Sequence, residues 1–479
     1  MDIEGLGAHF MGSATEYNRR DIFKRAAGIA VLAATGGSLL TACAGGTGGS
    51  SDKGAKGAAG YNLTDAKNPF GVKDGEGLEV FIFDGGYGNE YAKRFEEIYS
   101  KSYPGAKINH QADKDVTGKL QPRFNAGSPP DVIDDSGAKQ MKLDVLADSG
   151  QLTDLAPLLD APYIDDPSKK IRDVLMPGTI ESGTVKGKVY NLSYVYTVWG
   201  FWYSGKLFKD NGWTAPKTWA EFIDLCGKIK AKGIAPLAHQ GKYPYYINVV
   251  MMDMIAKQGG LDLMKRIDSL DAAAWDDPAV KTAVESFFQV VDKDFLLPGT
   301  NGMTHTESQT AWNQYKAAFI PSGSWLENEQ LPTTPADFDM KFLPIPSLPG
   351  DKLPFEAIRA GAGEPFIVPA KAKNVAGGLE LLRIMLTKEA SGKFAQTANS
   401  LTCLKDGVGP EVQLKPGTAS TVVALKAAAA NTFNFQYPNT ASKFDEDLQN
   451  ASGELMAKRI TPAEWIKRAK ESATKNKTA

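Results

Sequence analysis

The chain has 479 residues, 54 Lys+Arg against 56 Asp+Glu, and a formal net charge of -2. That balance, with no Lys/Arg-rich block, argues against extended nucleic-acid binding, which needs a basic excess to neutralise phosphates. A hydrophobic content of 42% with 23% charged residues supports large cores but is too polar for a multi-span membrane protein, and three cysteines exclude a disulfide-dense scaffold.

The first segment in chain order departs from the rest. Asn18-Arg19-Arg20-Asp21-Ile22-Phe23-Lys24-Arg25 leads into the apolar run from Ala26 to Ala34 and then Leu39-Leu40-Thr41-Ala42-Cys43. A basic stretch, a short apolar core and a small-residue boundary are the layout of an export signal, too short and Gly-interrupted to span a bilayer. The Arg19-Arg20 pair before Phe23-Lys24 resembles the twin-arginine export signal, with Asp21-Ile22 a partial fit. Leu40-Thr41-Ala42-Cys43 resembles the lipobox of bacterial lipoproteins, whose cysteine is lipidated and becomes the mature N-terminus. Met1 and Met11 both stand as candidate starts. From Ala44 to about Gly60 almost nothing is bulky and apolar, so residues 44–76 are expected to form a flexible tether.

The body alternates strand and helix signals. Leu78-Glu79-Val80-Phe81-Ile82-Phe83 reads as a strand ending at the turn Asp84-Gly85-Gly86, and Tyr91, Phe95, Ile98 and Tyr99 follow at helical spacing until Pro104-Gly105. Lys107-Ile108-Asn109 is a second strand, 115–126 a helix, and Asp131-Val132-Ile133-Asp134 a third strand. Thr218-Trp219-Ala220-Glu221 is a capping box opening a helix with Phe222, Leu225, Cys226 and Ile229 inward, which makes Cys226 a core thiol. Asp276-Asp277-Pro278 opens another helix, Lys341 to Pro346 is extended, 375–398 forms a helical block, and Thr461-Pro462-Ala463-Glu464 caps a last helix from Trp465 to about Ala473. The pattern predicts an α/β fold with helices packed on a largely parallel sheet.

Histidines 9, 110, 239 and 305 have no metal-ligand spacing with one another or with a cysteine, so no metal is expected. Cys226 and Cys403 could bridge or stay free. Asp84-Gly85-Gly86-Tyr87-Gly88 lacks the Lys-Ser/Thr of a phosphate-binding loop and the spacing of a dinucleotide fingerprint, and reads as a tight turn at the mouth of a cleft; no cofactor is expected. The stretch from Tyr190 to Tyr203 is dense in rings. Phe201, Trp202 and Tyr203 suit a buried strand, whereas Trp199, Tyr194 and Tyr196 fit either core packing or a cleft wall. Aromatic faces beside hydroxyl, amide and carboxylate partners suit a carbohydrate, whose C–H faces stack while its hydroxyl edges hydrogen-bond.

Several landmarks then line up. Trp202-Tyr203-Ser204-Gly205-Lys206-Leu207-Phe208 through Pro216-Lys217-Thr218-Trp219-Ala220-Glu221-Phe222, Gly127-Ser128-Pro129-Pro130-Asp131-Val132, and Ala317-Ala318-Phe319-Ile320-Pro321-Ser322-Gly323-Ser324-Trp325 follow one family's order from about Gly77 onward. They resemble the extracellular sugar-binding proteins of ABC importers, the maltose-binding-protein-like group. The stretches from Ala362 to Pro369 and from Pro321 to Glu329 look most like the N-acetylglucosamine/chitobiose-binding lipoproteins of that group.

The resemblance implies a bilobal periplasmic-binding-protein fold of type II, with lobe one at 77–188 plus 342–405, lobe two at 189–341 plus 406–479, and a ligand cleft and hinge between them. It also implies a non-enzymatic monomer that carries a carbohydrate to permease subunits. That monomer would be held outside the cell membrane only by lipidated Cys43. Trp325 matches the family's stacking tryptophan, Asp135 and Ser136 its hydrogen-bonding loop, and Tyr437 the returning segment that lines the cleft; Asp84 and Tyr87 match by position. Glu364 and Glu327 would either grip sugar hydroxyls or satisfy backbone donors. Another oligosaccharide is the alternative ligand. A glycoside hydrolase, built on a carboxylate pair such as Asp134-Asp135 or Glu327/Glu329, is the rival from another class.

Overall fold

The computed structural model describes residues 60–409 and 412–477; the export signal, Cys43 and the tether up to residue 59 lie outside the described residues. Strand β1 (Leu78–Phe83) pairs in parallel with β2 (Ile108–Asp113) and with β3 (Val132–Asp134). Helix α1 (Glu90–Ser102) buries Tyr91, Phe95 and Tyr99, the face its spacing predicts. Asp131 explains why β1 and β3 stay in register. One carboxylate oxygen accepts from Glu79 N (2.8 Å) and the other from Asn374 N (2.8 Å), so one buried side chain ties β1 to a later helix.

The centre of the molecule is β4 (Leu192–Ser204), 13 residues long and nearly all buried. It runs antiparallel to β6 (Ala317–Gly323), β7 (Met340–Leu343) and β8 (Ile358–Ile367), while β5 (Ala235–Leu237) lies parallel to β6. With two short strands, Leu401–Thr402 and Thr432–Phe433, these make a ten-stranded sheet among the described residues, its main path β2-β1-β3-β8-β4-β6-β5. The largely parallel sheet expected from alternation is therefore confined to the flanks. At the centre the chain crosses through β4 and returns through β8, which imposes antiparallel pairing.

One apolar cluster gathers Val80, Tyr91, Phe95, Tyr194, Phe366 and Phe394, and a second gathers Phe201, Phe222, Met251, Phe287, Phe319, Tyr437 and Trp465. The strand β4 supplies Tyr194 to the first and Phe201 to the second, so one continuous strand joins both cores.

The capping box at Thr218 opens α2 (Trp219–Ala231), and Asp277 caps α4 (Pro278–Asp292), as expected. Between them lies α3 (Tyr245–Asp268), 24 residues long and kinked at Gly260, where φ is +81°. No period marks it in the sequence because residues 246–256 are buried all round. The block at 375–398 is two helices, α5 (Val375–Met385) and α6 (Lys388–Ala398), separated where the Thr387 side chain caps the second. The last helix, α7 (Pro462–Lys477), is longer than expected.

Residues 60–76, read as part of the tether, instead pack on the body. Phe70 is 3% exposed, and Arg383, paired with Glu380 in the core, donates to the carbonyls of Ala66 (3.1 Å) and Lys67 (3.4 Å). Cys226 and Cys403 are both free and buried. Among the described residues no helix is long and apolar enough to cross a membrane, and no group of three His, Cys, Asp or Glu could hold a metal ion.

Candidate functional site

A cleft of about 600 Å³ opens where the ends of β1, β3 and β6 and the bodies of β4 and β8 meet α3, within the range of about 300–1,000 Å³ usual for small-molecule sites. Its aromatic side is built around two tryptophans. Trp325 follows β6, and its indole packs edge-to-face on Trp199 of β4, centroids 4.6 Å apart at 85°. Two glycines make room for it. A Cβ on Gly323 would stand 2.1 Å from the Trp325 ring, so the indole fits there only because Gly323 lacks a side chain; one on Gly86 would stand 3.1 Å away, a tight contact. Tyr245 and Tyr246, stacked on each other at 4.2 Å, present edges to Trp199 at 6.1 Å each. Trp199, Trp325 and Tyr245 are each half-buried, so apolar ring surface remains open to the cleft.

The other walls are polar. Arg359 of β8 lies over Trp199 at 5.8 Å and over Phe435 at 5.7 Å, and its Nε donates to Asn434 Oδ1 (2.9 Å). Glu329 pairs with His305 at 3.2 Å through one oxygen and leaves the other without a partner. The Tyr87 hydroxyl and Asn248 Nδ2 also have none. Burial raises Asp445, another lining residue, above the usual carboxylate range. Three hydrogen bonds join early and late parts of the chain: Asn328 Nδ2 donates to Gly86 O (2.7 Å), Asn439 Nδ2 to Ser182 O (2.8 Å), and Ser442 N to Asp144 (2.8 Å).

Of the residues singled out in the sequence, Trp325, Trp199, Ser136, Tyr437, Glu364 and Tyr87 line this cleft. The other five are elsewhere, each for a physical reason. Tyr194 is a core residue: it is fully buried among Phe95, Phe366 and Phe394, and its hydroxyl donates to Met385 O (2.9 Å). Tyr196, 6% exposed, sits mid-sheet between Ala362 and Leu401. Asp135 turns inward, where its carboxylate accepts from Met141 N (2.8 Å) and shapes the loop carrying Ser136; burial pushes it up to about 8. Asp84 accepts from Asn89 Nδ2 (3.0 Å) at the end of β1.

Glu327 faces away from the cleft. Its carboxylate accepts from Gly417 N and Thr418 N (2.7 Å each) and from Asn399 Nδ2 (2.9 Å), capping the helix Pro416–Ala428. A carboxylate there satisfies unpaired helix-start N–H groups and complements the helix dipole. Of the two readings open for Glu327, the backbone-satisfying one holds.

Sequence reading missed Tyr245, Tyr246, Arg359, His305 and Asp445, and named Glu329 only as part of a catalytic carboxylate pair. The tyrosines carried a usable signal, the ring cluster Tyr243-Pro244-Tyr245-Tyr246. Arg359 and Asp445 carried none, because only the fold brings them together.

Residues 84–391 match the family model of the bacterial extracellular solute-binding protein. The chain is 37% identical over 420 residues to the diacetylchitobiose binding protein NgcE of Streptomyces coelicolor, a match covering 86% of this chain and 87% of that protein. Among solved structures it is similar to a chitin oligosaccharide binding protein (TM-score 0.70, 22% identity, 85% of this chain and 100% of that one). It is also similar to the raffinose complex of RafE (TM-score 0.63, 18% identity, 84% and 99%). The fold is the bilobal α/β fold of these proteins, and the sequence match to the family spans well over half the chain. The chain belongs to the bacterial extracellular solute-binding proteins.

Proposed function

We propose that this protein captures N-acetylglucosamine oligosaccharides, diacetylchitobiose first among them, outside the cell and hands them to the permease of an ABC importer. It is a binding protein, not an enzyme. The observation that carries the ligand assignment is the 37% identity along 86% of the chain to a diacetylchitobiose binding protein. The cleft chemistry supports it. The half-buried faces of Trp325, Trp199 and Tyr245 suit the C–H faces of pyranose rings. Arg359, Asp445, Asn248 and Tyr87 offer the directional partners that hydroxyl and acetamido groups need.

Lobe one is assigned to 77–188 plus 342–405 and lobe two to 189–341 plus 406–479. The bonds Asn328–Gly86 and Asn439–Ser182 then cross between lobes, break on opening and re-form on closure. A permease that prefers the closed, loaded form needs only that difference in affinity to select it. Micromolar binding corresponds to about 8 kcal/mol, within reach of stacked rings and charge-assisted hydrogen bonds once ordering costs are subtracted.

Titration calorimetry and thermal shift with diacetylchitobiose, N-acetylglucosamine, cellobiose, maltose and xylobiose test this reading. Diacetylchitobiose is expected to bind most tightly and to raise the melting temperature most. Cellobiose binding as well as its acetamido counterpart would remove the acetamido group from the assignment, and no response to any of them would remove the sugar.

The protein acts as a monomer on the outer face of the membrane, held there by a lipid on Cys43. Cys43→Ala is expected to move it from the membrane fraction to the medium; retention in the membrane would contradict the anchor.

A further inference from the structure

Beneath the aromatic wall two carboxyl groups meet. Asp134, at the end of β3, is fully buried and accepts from the hydroxyls of Tyr91 (2.7 Å) and Ser136. Glu364, half-buried in the cleft wall, lies close by, because β8 pairs with β3 at Phe366 and Asp134, and Asp134 and Ser136 are within reach of its carboxyl. Its backbone has φ +53°, the left-handed region that a glutamate rarely adopts, in the middle of β8. Pairing on either side, Gly363 with Val195 and Pro365 with Ser193, holds it there. Strain of this kind persists only where the surrounding structure enforces it, and it clusters at functional positions.

The groups facing Glu364 come from five directions: Asp134 on β3, Tyr91 on α1, Tyr87 in the loop after β1, Glu329 after β6, and Tyr245 on α3. None is a cation. Among the described residues neither carboxyl of the pair joins an ion pair, although Lys142, Lys242, His305 and Arg359 line the same cleft. Two neighbouring carboxyl groups, one of them fully buried and neither in an ion pair, resist ionising together. Burial pushes Asp134 up to about 7 and raises Glu364 well above the usual range. Beside them the Tyr87 hydroxyl, on a side chain 6% exposed, has no partner.

We propose that Glu364 works as a neutral acid, kept protonated beside Asp134, and that on binding it turns its single O–H from Asp134, which keeps its bonds from Tyr91 and Ser136, to an uncharged acceptor oxygen of the ligand. An amide carbonyl such as that of an acetamido sugar fits. This rests on the sugar-binding reading above and names how that site selects. Deacetylated amino sugars gain no carboxylate partner at Glu364 unless they expel its proton. Affinity is full while the pair keeps its proton and falls as pH rises through the alkaline range, when that proton is lost.

The test is calorimetry of diacetylchitobiose binding from neutral to alkaline pH, with diglucosamine as the cationic comparison, on wild type, Glu364→Gln and Glu364→Ala. Wild-type affinity is expected to fall at least tenfold across the alkaline limb. Glu364→Ala should lose about tenfold at neutral pH. Glu364→Gln, a permanent donor, should lose less than the alanine variant and show no alkaline limb. Affinity independent of pH in wild type, an alkaline limb that persists in Glu364→Gln, or diglucosamine binding more tightly than the acetamido sugar would each overturn the proposal. Infrared difference spectra of ligand-free wild type against Glu364→Gln, or against Asp134→Asn should the first variant fail to fold, give a readout that needs no sugar. A protonated-carboxyl band at neutral pH is expected, and its absence overturns the proposal even if sugars bind. If the band is present and no sugar binds at any pH, the ligand assignment fails and the donor role with it, while the pair's proton stands.

Discussion

Trp325→Ala is expected to weaken diacetylchitobiose binding by about a hundredfold while lowering the melting temperature by only a few degrees. The indole is half-buried, between Gly86 and Gly323, with its edge-to-face contact on Trp199. Its removal takes away a stacking face and leaves Trp199 without the partner that orients it. Central aromatic residues in binding sites commonly cost at least about 2 kcal/mol when truncated, and a hundredfold loss is about 2.7 kcal/mol. The stability cost is smaller because part of the ring already faces the cleft; at about 2–4 °C per kcal/mol for large domains, a loss of a few degrees follows. Calorimetric titration and scanning calorimetry on the same preparation check both halves. A melting temperature that drops as far as that of a core truncation such as Trp202→Ala, with affinity falling only in proportion, would make Trp325 a packing residue.

The second large effect concerns pH. Asp134 and Asp253 are pushed up to about 7, Asp135 to about 8, and Glu364 well above the usual carboxylate range, in each case mainly because burial penalises the charged form. In the unfolded chain these groups ionise near 4, so through neutral pH the folded protein binds more protons than the unfolded one. Stability therefore falls as pH rises through the folded values. Two buried bases act in the opposite sense outside this window. His239, pushed down to about 4 from 6.5 by burial, destabilises only below 6.5; Lys257, pushed down to about 8, favours the fold increasingly only above 8. Between pH 6.5 and 8 the acids decide, and the melting temperature is expected to fall by on the order of 5 °C. Scanning calorimetry across that window checks it. A flat or rising melting temperature would mean these carboxyls are solvated in the folded protein.

The parts legible in the sequence share one property: their signals are local. The strand at Leu78, the helix bearing Tyr91, Phe95 and Tyr99, and the capping box at Thr218 each depend on residues within a few positions of one another. The cleft position of Trp325 came from a stretch of adjacent residues, and the glycine before it turned out to be the space its ring requires. Where burial is complete the local signal disappears. Helix α3, buried on every side over residues 246–256, has no period to read. The ring-dense strand β4 shows the same limit: Tyr194 and Trp199 stand five residues apart with similar chemistry, yet one is fully buried and the other lines the cleft.

Local order, helix starts, the family signature and the export-signal layout are properties of neighbouring residues, and the sequence by itself determined them. The tertiary structure alone decided which carboxylates face the cleft. Glu327 and Glu364 looked alike as candidates, but the helix start at Gly417 captures the first and β8 turns the second toward Asp134. The physical reason is that a carboxylate goes wherever unpaired donors or a partner proton await it, and those partners lie 90 residues away for Glu327. Only folding brings such distant groups within hydrogen-bond reach.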